Sequence, residues 1–164
     1  MKACILSVSL KYNSKIKIMS DVVTRKLYPL DQYEKFLATF SAHAIEYKER
    51  LYPTVEHAYH ASRYSDEAVQ EEIRRAKSPF LAWEVSQKHK ADQLAGFDAR
   101  KSDVMEELCR LKLGQHADVK EGLLASGDDT IVKNYPDPYW GIGADGVGKN
   151  EMGRIWMKLR SELK

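Results

Sequence analysis

The chain has 164 residues, 43% hydrophobic and 30% charged, with 26 basic against 24 acidic side chains and a formal charge of +2. This is the length of one domain with a sizeable core, and the charge is too balanced for a general nucleic-acid binder. Two distant cysteines, Cys4 and Cys109, exclude a disulfide framework or a zinc ribbon, and the apolar run near the start (MKACILSVSLKYNSK) is too short to span a membrane and lacks a small-residue cleavage site, so a cytoplasmic setting is expected.

In chain order, Ile5–Leu10 and Lys15–Met19 alternate as short strands do, Asp31–Phe40 is a short helix or a buried turn, and Ala44–Leu51 reads as a strand or hairpin. Helical signals then dominate. Thr54 is an N-cap for a helix over Val55–Tyr64. Ser65 or Asp66 caps the next one, DEAVQEEIRRA, and Ser78-Pro79 opens a third, since proline suits the first helical position. Ser102 caps a periodic segment carrying Val104, Met105, Leu108, Leu111 and Leu113, which Gly114 ends. A short helix over Asp118–Leu124, a strand at Thr130–Val132 and a last helix over Asn150–Leu163 follow. The pattern predicts an α+β, predominantly helical single domain over residues 1–164, with no internal repeat or linker.

Residues 52–64, YPTVEHAYHASRY, place Glu56, His60 and Arg63 at i, i+4 and i+7, on one helix face. Val55, Ala58, Tyr59 and Ser62 then pack inward. Glu56 is either a functional carboxylate or a solvated helix-start acid that favours the helix dipole. His57 and His60 follow Glu-His-x-x-His. A zinc-protease helix needs His-Glu-x-x-His, with histidines four apart, so no metal site is expected. The two histidines are hydrogen-bonded structural groups or line a pocket. Cys109 lies near an apolar helix face and suits a buried thiol better than a nucleophile.

Five of nine glycines fall in YPDPYWGIGADGVGKNEMGRIWMKLR: Gly141, Gly143, Gly146, Gly148 and Gly153. Gly141 to Gly146 fits GxGxxG, but only 18 residues follow, too few for the second strand of a dinucleotide-binding unit. Gly143 to Asn150 nearly fits the phosphate loop GxxxxGK[ST]. Asn150 lacks the hydroxyl that ligates magnesium there. Two readings remain: a phosphate cradle at a helix start, with Lys149 adding charge, or a compact turn that needs positive φ. Trp140 beside it stacks on a base or sugar, or belongs to the core.

YPTVEHAYHASRY, AKSP at 76–79 and LLASGDDTIVKNYPDPYWGIGADGVGKNEMGRIWMKLR at 123–160 together closely resemble the NADAR family, the YbiA-like group of N-glycosidases linked to NAD and ADP-ribose metabolism. The resemblance covers roughly Leu37 to the C-terminus, and residues 1–36 form an N-terminal extension outside it. It implies a YbiA-like fold in which both motifs meet at one pocket, and hydrolysis of an N-glycosidic bond. Family substrates include ribosylamino-pyrimidine phosphates of riboflavin biosynthesis and ADP-ribose attached to guanine. Glu56 matches the family's key glutamate, Asp137 its aspartate and Trp140 its tryptophan. Gly141, Gly143, Gly146, Gly148 and Asn150 match its loop. The implied catalytic set is Glu56, Asp137 and Arg63. Substrate contacts are expected from His57, His60, Phe97, Trp140, the loop glycines, Lys149 and Asn150.

No metal or other cofactor is required, and the implied partner is a phosphorylated ribosyl-base compound, free or as ADP-ribosylated nucleic acid. The near-neutral charge favours the small molecule. Three positions depart from the family. Arg63 stands where lysine is usual, and arginine stays protonated and cannot form the Schiff base proposed for that lysine. Phe97 replaces a tryptophan, and Leu37-Ala-Thr-Phe40 replaces LSNF. These point to a shifted substrate, or to a non-catalytic module that binds ADP-ribose or a related nucleotide.

Overall fold

Side-chain caps decide where several elements begin. The computed structural model describes residues 27–29 and 36–164. The strands expected at Ile5–Leu10 and Lys15–Met19 lie outside the described residues, as do residues 31–35. Residues 36–40 are turns, with Leu37 fully buried. Strands β2 (Ile45–Tyr47) and β3 (Arg50–Tyr52) form an antiparallel hairpin, pairing Ile45 with Tyr52 and Tyr47 with Arg50. Its two-residue turn places Lys48 and Glu49 at φ 51° and 61°, the left-handed geometry that matches strand twist. Strand β1 (Leu27–Pro29) pairs in parallel with β4 (Thr130–Val132).

Helix α1 (Val55–Ala61) is capped by Thr54, whose side chain accepts from the His57 N–H. Asp66 caps α2 (Glu67–Arg74) by accepting from the Ala68 N–H, and Ser78 caps α3 (Pro79–Lys88) by accepting from the Leu81 N–H, with Pro79 in the first turn. Such caps satisfy backbone donors that a helix start otherwise leaves unpaired. Helix α4 (Phe97–Gln115) differs from expectation. It starts five residues before the predicted Ser102 cap, after Gly96 at φ 75°, and no side chain caps it. Ser102 lies inside the helix and its hydroxyl bonds to the Tyr139 hydroxyl at 2.6 Å. Helices α5 (Ala117–Ala125) and α6 (Glu151–Ser161) complete the order.

Helix α1 is the hub, packed against α2, α3, α4 and the hairpin. Every residue from Val55 to Ala61 is buried, so the expectation of one inward face and one solvated face is corrected. A seven-residue helix surrounded by three others has no outer side. Helix α4 packs on β2, α5 and α6, while α6 covers β4. Trp156, Phe97, Ile45, Ile73 and Leu108 are among the fully buried side chains, each contributing about 1.5–3 kcal/mol of burial. The described residues form one α+β, predominantly helical domain with two small two-stranded sheets. No described helix is long and apolar enough to cross a membrane.

Candidate active site

A cleft of about 680 Å³ opens between the 37–41 turn, α1, α3 and the segment from Lys133 to Trp140. That volume lies within the range of small-molecule sites, about 300–1,000 Å³. Glu56, His60 and Arg63 all line it, as do Asp137 and Trp140.

Glu56 occupies the protected end and is only 8% exposed. One carboxylate oxygen, Oε1, accepts a 2.6 Å hydrogen bond from the Thr39 hydroxyl. The other, Oε2, lies 3.0 Å from His60 Nε2. The Glu56 N–H donates to the Thr39 carbonyl at 3.2 Å, fixing the turn against the helix twice. Burial pushes the Glu56 carboxyl up. The His60 hydrogen bond and charge, the Thr39 hydrogen bond and the Lys133 charge outweigh it and hold the pKa below the ordinary carboxylate value. The solvated-acid reading is therefore corrected: Glu56 is a buried carboxylate kept ionised by named partners.

Arg63 follows the end of α1, its guanidinium 5.1 Å from the Tyr59 ring centre and 5.6 Å from that of Phe97, the stacked arrangement guanidinium favours over an ammonium. Tyr59 meets Trp140 edge to face at 5.7 Å and Phe97 at 5.7 Å. Phe97 is buried behind Tyr59 and Arg63, off the cleft wall. Three buried polar atoms beside the cleft, Tyr59 Oη, His60 Nδ1 and Arg63 Nε, have no hydrogen-bond partner among the described residues. Burial pushes the Tyr59 phenol up to about 12, so it is a donor at neutral pH.

Asp137 spends Oδ1 on the backbone N–H groups of Tyr139 and Trp140, at 2.8 and 2.7 Å. It thereby fixes the turn that presents the Trp140 indole. His57 is off the cleft: Nδ1 pairs with Thr54 Oγ1 at 2.8 Å and Nε2 with the Ala76 carbonyl at 3.1 Å. Burial holds its pKa below the usual imidazole value.

The glycine loop does not wall this cleft, and its geometry corrects the phosphate-cradle expectation. Backbone N–H groups at the start of α6 are already spent on loop carbonyls. Gly148 donates to Ile142, Lys149 to Pro138, Asn150 to Gly141, Glu151 to Tyr139 and Met152 to Trp140. A cradle needs those donors free. A Cβ at Gly141 would meet the Tyr135 carbonyl at 2.5 Å, and one at Gly148 the Gly141 carbonyl at 2.6 Å. Gly143 and Gly146 adopt φ 73° and 77°. Asn150 accepts from the Lys133 N–H and donates to the Ile131 carbonyl, both at 2.8 Å, tying α6 to β4. Lys149 reaches over the Tyr139 ring. The compact-turn reading describes this segment.

Thr39, Lys133 and Tyr59 escaped the sequence reading. Thr39 sits in the LATF stretch whose departure from LSNF was visible, but its bond to Glu56 spans 17 positions. Lys133 follows β4 and had no spacing signal; it lines the cleft and adds positive charge near Glu56. Cys109 is buried and its thiol is pushed up to about 12 by burial, which removes it as a nucleophile.

A family model, NADAR domain, matches residues 14–164. N-glycosidase YbiA of Escherichia coli K12 is 33% identical over 147 residues, covering 89% of this chain and 91% of that protein. A riboflavin biosynthesis protein of Vibrio vulnificus is 33% identical over 96% of this chain, which spans 43% of that longer protein. The NMR structure of Escherichia coli YbiA superposes with a TM-score of 0.71 at 34% identity, over 77% of this chain and 76% of that one. With Glu56 and Arg63 from one motif and Asp137 and Trp140 from the other lining one cleft, and a family match across most of the residues, this chain belongs to the NADAR domain family.

Proposed function

We propose that this chain is a cytoplasmic N-glycosidase acting on a phosphorylated ribosyl-base compound. The observation that carries the reading is Glu56, a buried carboxylate held ionised at the deep end of a cleft that also presents Arg63, Lys133 and Trp140. Relatives described as N-glycosidases and as a riboflavin biosynthesis protein support it. When the C1′–N bond breaks, its electron pair leaves with the nitrogen and positive charge builds on the sugar. An ionised Glu56 stabilises that charge and draws a proton from the attacking water. Water supplies hydroxyl to C1′, and the proton ends on the released nitrogen. The products are the phosphorylated sugar, a ribose phosphate or ADP-ribose, and the base that carried it. Arg63 and Lys133 hold phosphate, Trp140 faces the base, and Asp137 is a positioning residue acting through Trp140.

The substrate classes are ribosylamino-pyrimidine phosphates and ADP-ribose linked to guanine. Mass-resolved incubation with each, the latter in DNA, separates them. Release of the pyrimidine from the first, or of ADP-ribose from the second with its guanine left in the DNA, names the class, and release from neither, with ADP-ribose still bound, favours a non-catalytic nucleotide-binding module. Arg63, where the family carries lysine, is the observation on the side of that second reading. A large gain of activity in Arg63→Lys would mark the wild type as a degenerate enzyme or a binder.

A further inference from the structure

Among the described residues, four buried side-chain polar atoms lack a hydrogen-bond partner. Three of them, Tyr59 Oη, His60 Nδ1 and Arg63 Nε, belong to residues that line the cleft. The fourth, Trp156 Nε1, lies in the core. Buried polar groups are as a rule satisfied, so a cluster of unsatisfied ones at one cleft marks a place where a polar ligand completes the bonding. His60 is 4% exposed, and its Nε2 is held 3.0 Å from Glu56 Oε2 across one helical turn. That contact fixes the ring and leaves Nδ1 as the ring nitrogen His60 has for a ligand.

The cleavage chemistry needs a proton donor that Glu56, as an ionised carboxylate, does not supply. When the C1′–N bond breaks, its electron pair stays on the nitrogen, which leaves far more readily once protonated. Arg63 holds its proton too tightly to give it up, and so does the Tyr59 phenol, pushed up to about 12 by burial. The Thr39 and Ser41 hydroxyls are spent on Glu56 and on the Ala38 carbonyl. Asp137 is taken up by the backbone N–H groups of Tyr139 and Trp140, and Lys133 is given to the phosphate. We propose that His60 is the general acid of this cleft, protonating the leaving nitrogen from Nδ1 while Glu56 holds its Nε2 N–H. The inference rests on the glycosidase reading and names the proton donor within it. The imidazolium proton passes from Nδ1 to the nitrogen as that nitrogen takes the electron pair of the C1′–N bond. Water then bonds to C1′ and gives a proton to Glu56. Exchange with solvent returns a proton from Glu56 to Nδ1 and restores the ionised pair. An imidazole held by a carboxylate is a recurring arrangement for proton transfer.

His60→Gln and His60→Ala test it together. Glutamine keeps an N–H for Glu56 but has no nitrogen that gives up a proton near neutral pH, whereas alanine opens a ring-sized space. Single-turnover hydrolysis is measured on the ribosylamino-pyrimidine phosphate or the ADP-ribosylated DNA, whichever the wild type cleaves. Calorimetric binding of ribose 5-phosphate and the melting temperature are measured beside it. Both variants are expected to hydrolyse at least ~100-fold more slowly, with ribose 5-phosphate affinity unchanged. Added imidazole should restore part of the rate in His60→Ala and none in His60→Gln. A His60→Gln rate near that of wild type would show that the ring only holds Glu56 in place, and overturns the proposal. A deficit in His60→Ala that imidazole leaves unchanged overturns it too, and if the alanine variant does not fold the glutamine variant decides alone. A wild type that cleaves neither substrate instead overturns the glycosidase reading itself, and the acid role with it.

Discussion

Thr39→Val tests how Glu56 is kept ionised. The substitution keeps the side-chain shape and removes the hydroxyl that donates at 2.6 Å to Glu56 Oε1, while the backbone bond from the Glu56 N–H to the Thr39 carbonyl remains. Thr39 is 3% exposed, so no solvent screens the pair. A hydrogen bond to a charged group contributes about 1.5–3 kcal/mol, and that is the expected loss at pH 7. The Glu56 pKa is lowered in the folded protein. Its ionisation therefore stabilises the fold above the unfolded carboxylate pKa, and this contribution disappears as pH falls through the folded value. Removing one of the donors raises the folded pKa. The cost of the substitution must then shrink as pH falls from 7 to well below the ordinary carboxylate value of 4.5, and the acidic limb of kcat/KM must move upward. Urea unfolding of both proteins across that range measures the first effect and a pH–rate profile the second. A stability loss equal at both pH values, with an unmoved acidic limb, would refute the charge-holding role of Thr39.

Further outcomes follow from other parts of the molecule. Gly148→Ala would drive a Cβ into the Gly141 carbonyl, so it should cost at least about 1–3 kcal/mol of stability by thermal unfolding, against a smaller strain for Gly146→Ala, where φ is 77° but the space is open. Lys112 is buried, donates to the Ala38 carbonyl at 2.8 Å and Ser41 Oγ at 2.6 Å, and has its pKa pushed down to about 8 by burial, partly countered by Cys109 and Asp118. Because the unfolded chain then holds the extra proton between pH 8 and 10.5, wild-type stability should rise over that window relative to Lys112→Met; a parallel pair of curves speaks against it. Cys109, with its thiol pushed up to about 12, should stay unlabelled by iodoacetamide in the native protein at pH 8 and react once unfolded, as peptide mapping by mass spectrometry would read.

Local chemistry made much of the fold legible. Thr54, Asp66 and Ser78 are capping residues at the starts of α1, α2 and α3, and the structure uses all three. The start of α4 was hidden because Gly96 turns the chain through backbone geometry alone, leaving no capping side chain to read. The convergence of Glu56, Arg63, Asp137 and Trp140 on one cleft is long-range, and only the resemblance of the two motifs to one family pointed to it. The glycine segment shows the reverse problem. Sequence marks a need for backbone freedom, but not whether a ligand or the chain's own carbonyls make the close approach. Here Tyr135, Gly141 and Ile131 carbonyls stand where side chains at Gly141, Gly148 and Gly153 would go. Lys133 was silent because one lysine after a strand carries no periodicity.

The most direct test of the account is Glu56→Gln, which keeps the side chain's size and removes its charge. Single-turnover hydrolysis of the substrate identified for the wild type, with ligand affinity and melting temperature measured beside it, reads the result. The account predicts a rate at least about 10²-fold lower, with affinity for ribose 5-phosphate retained. A variant that hydrolyses at the wild-type rate would show that the buried carboxylate takes no part in breaking the bond.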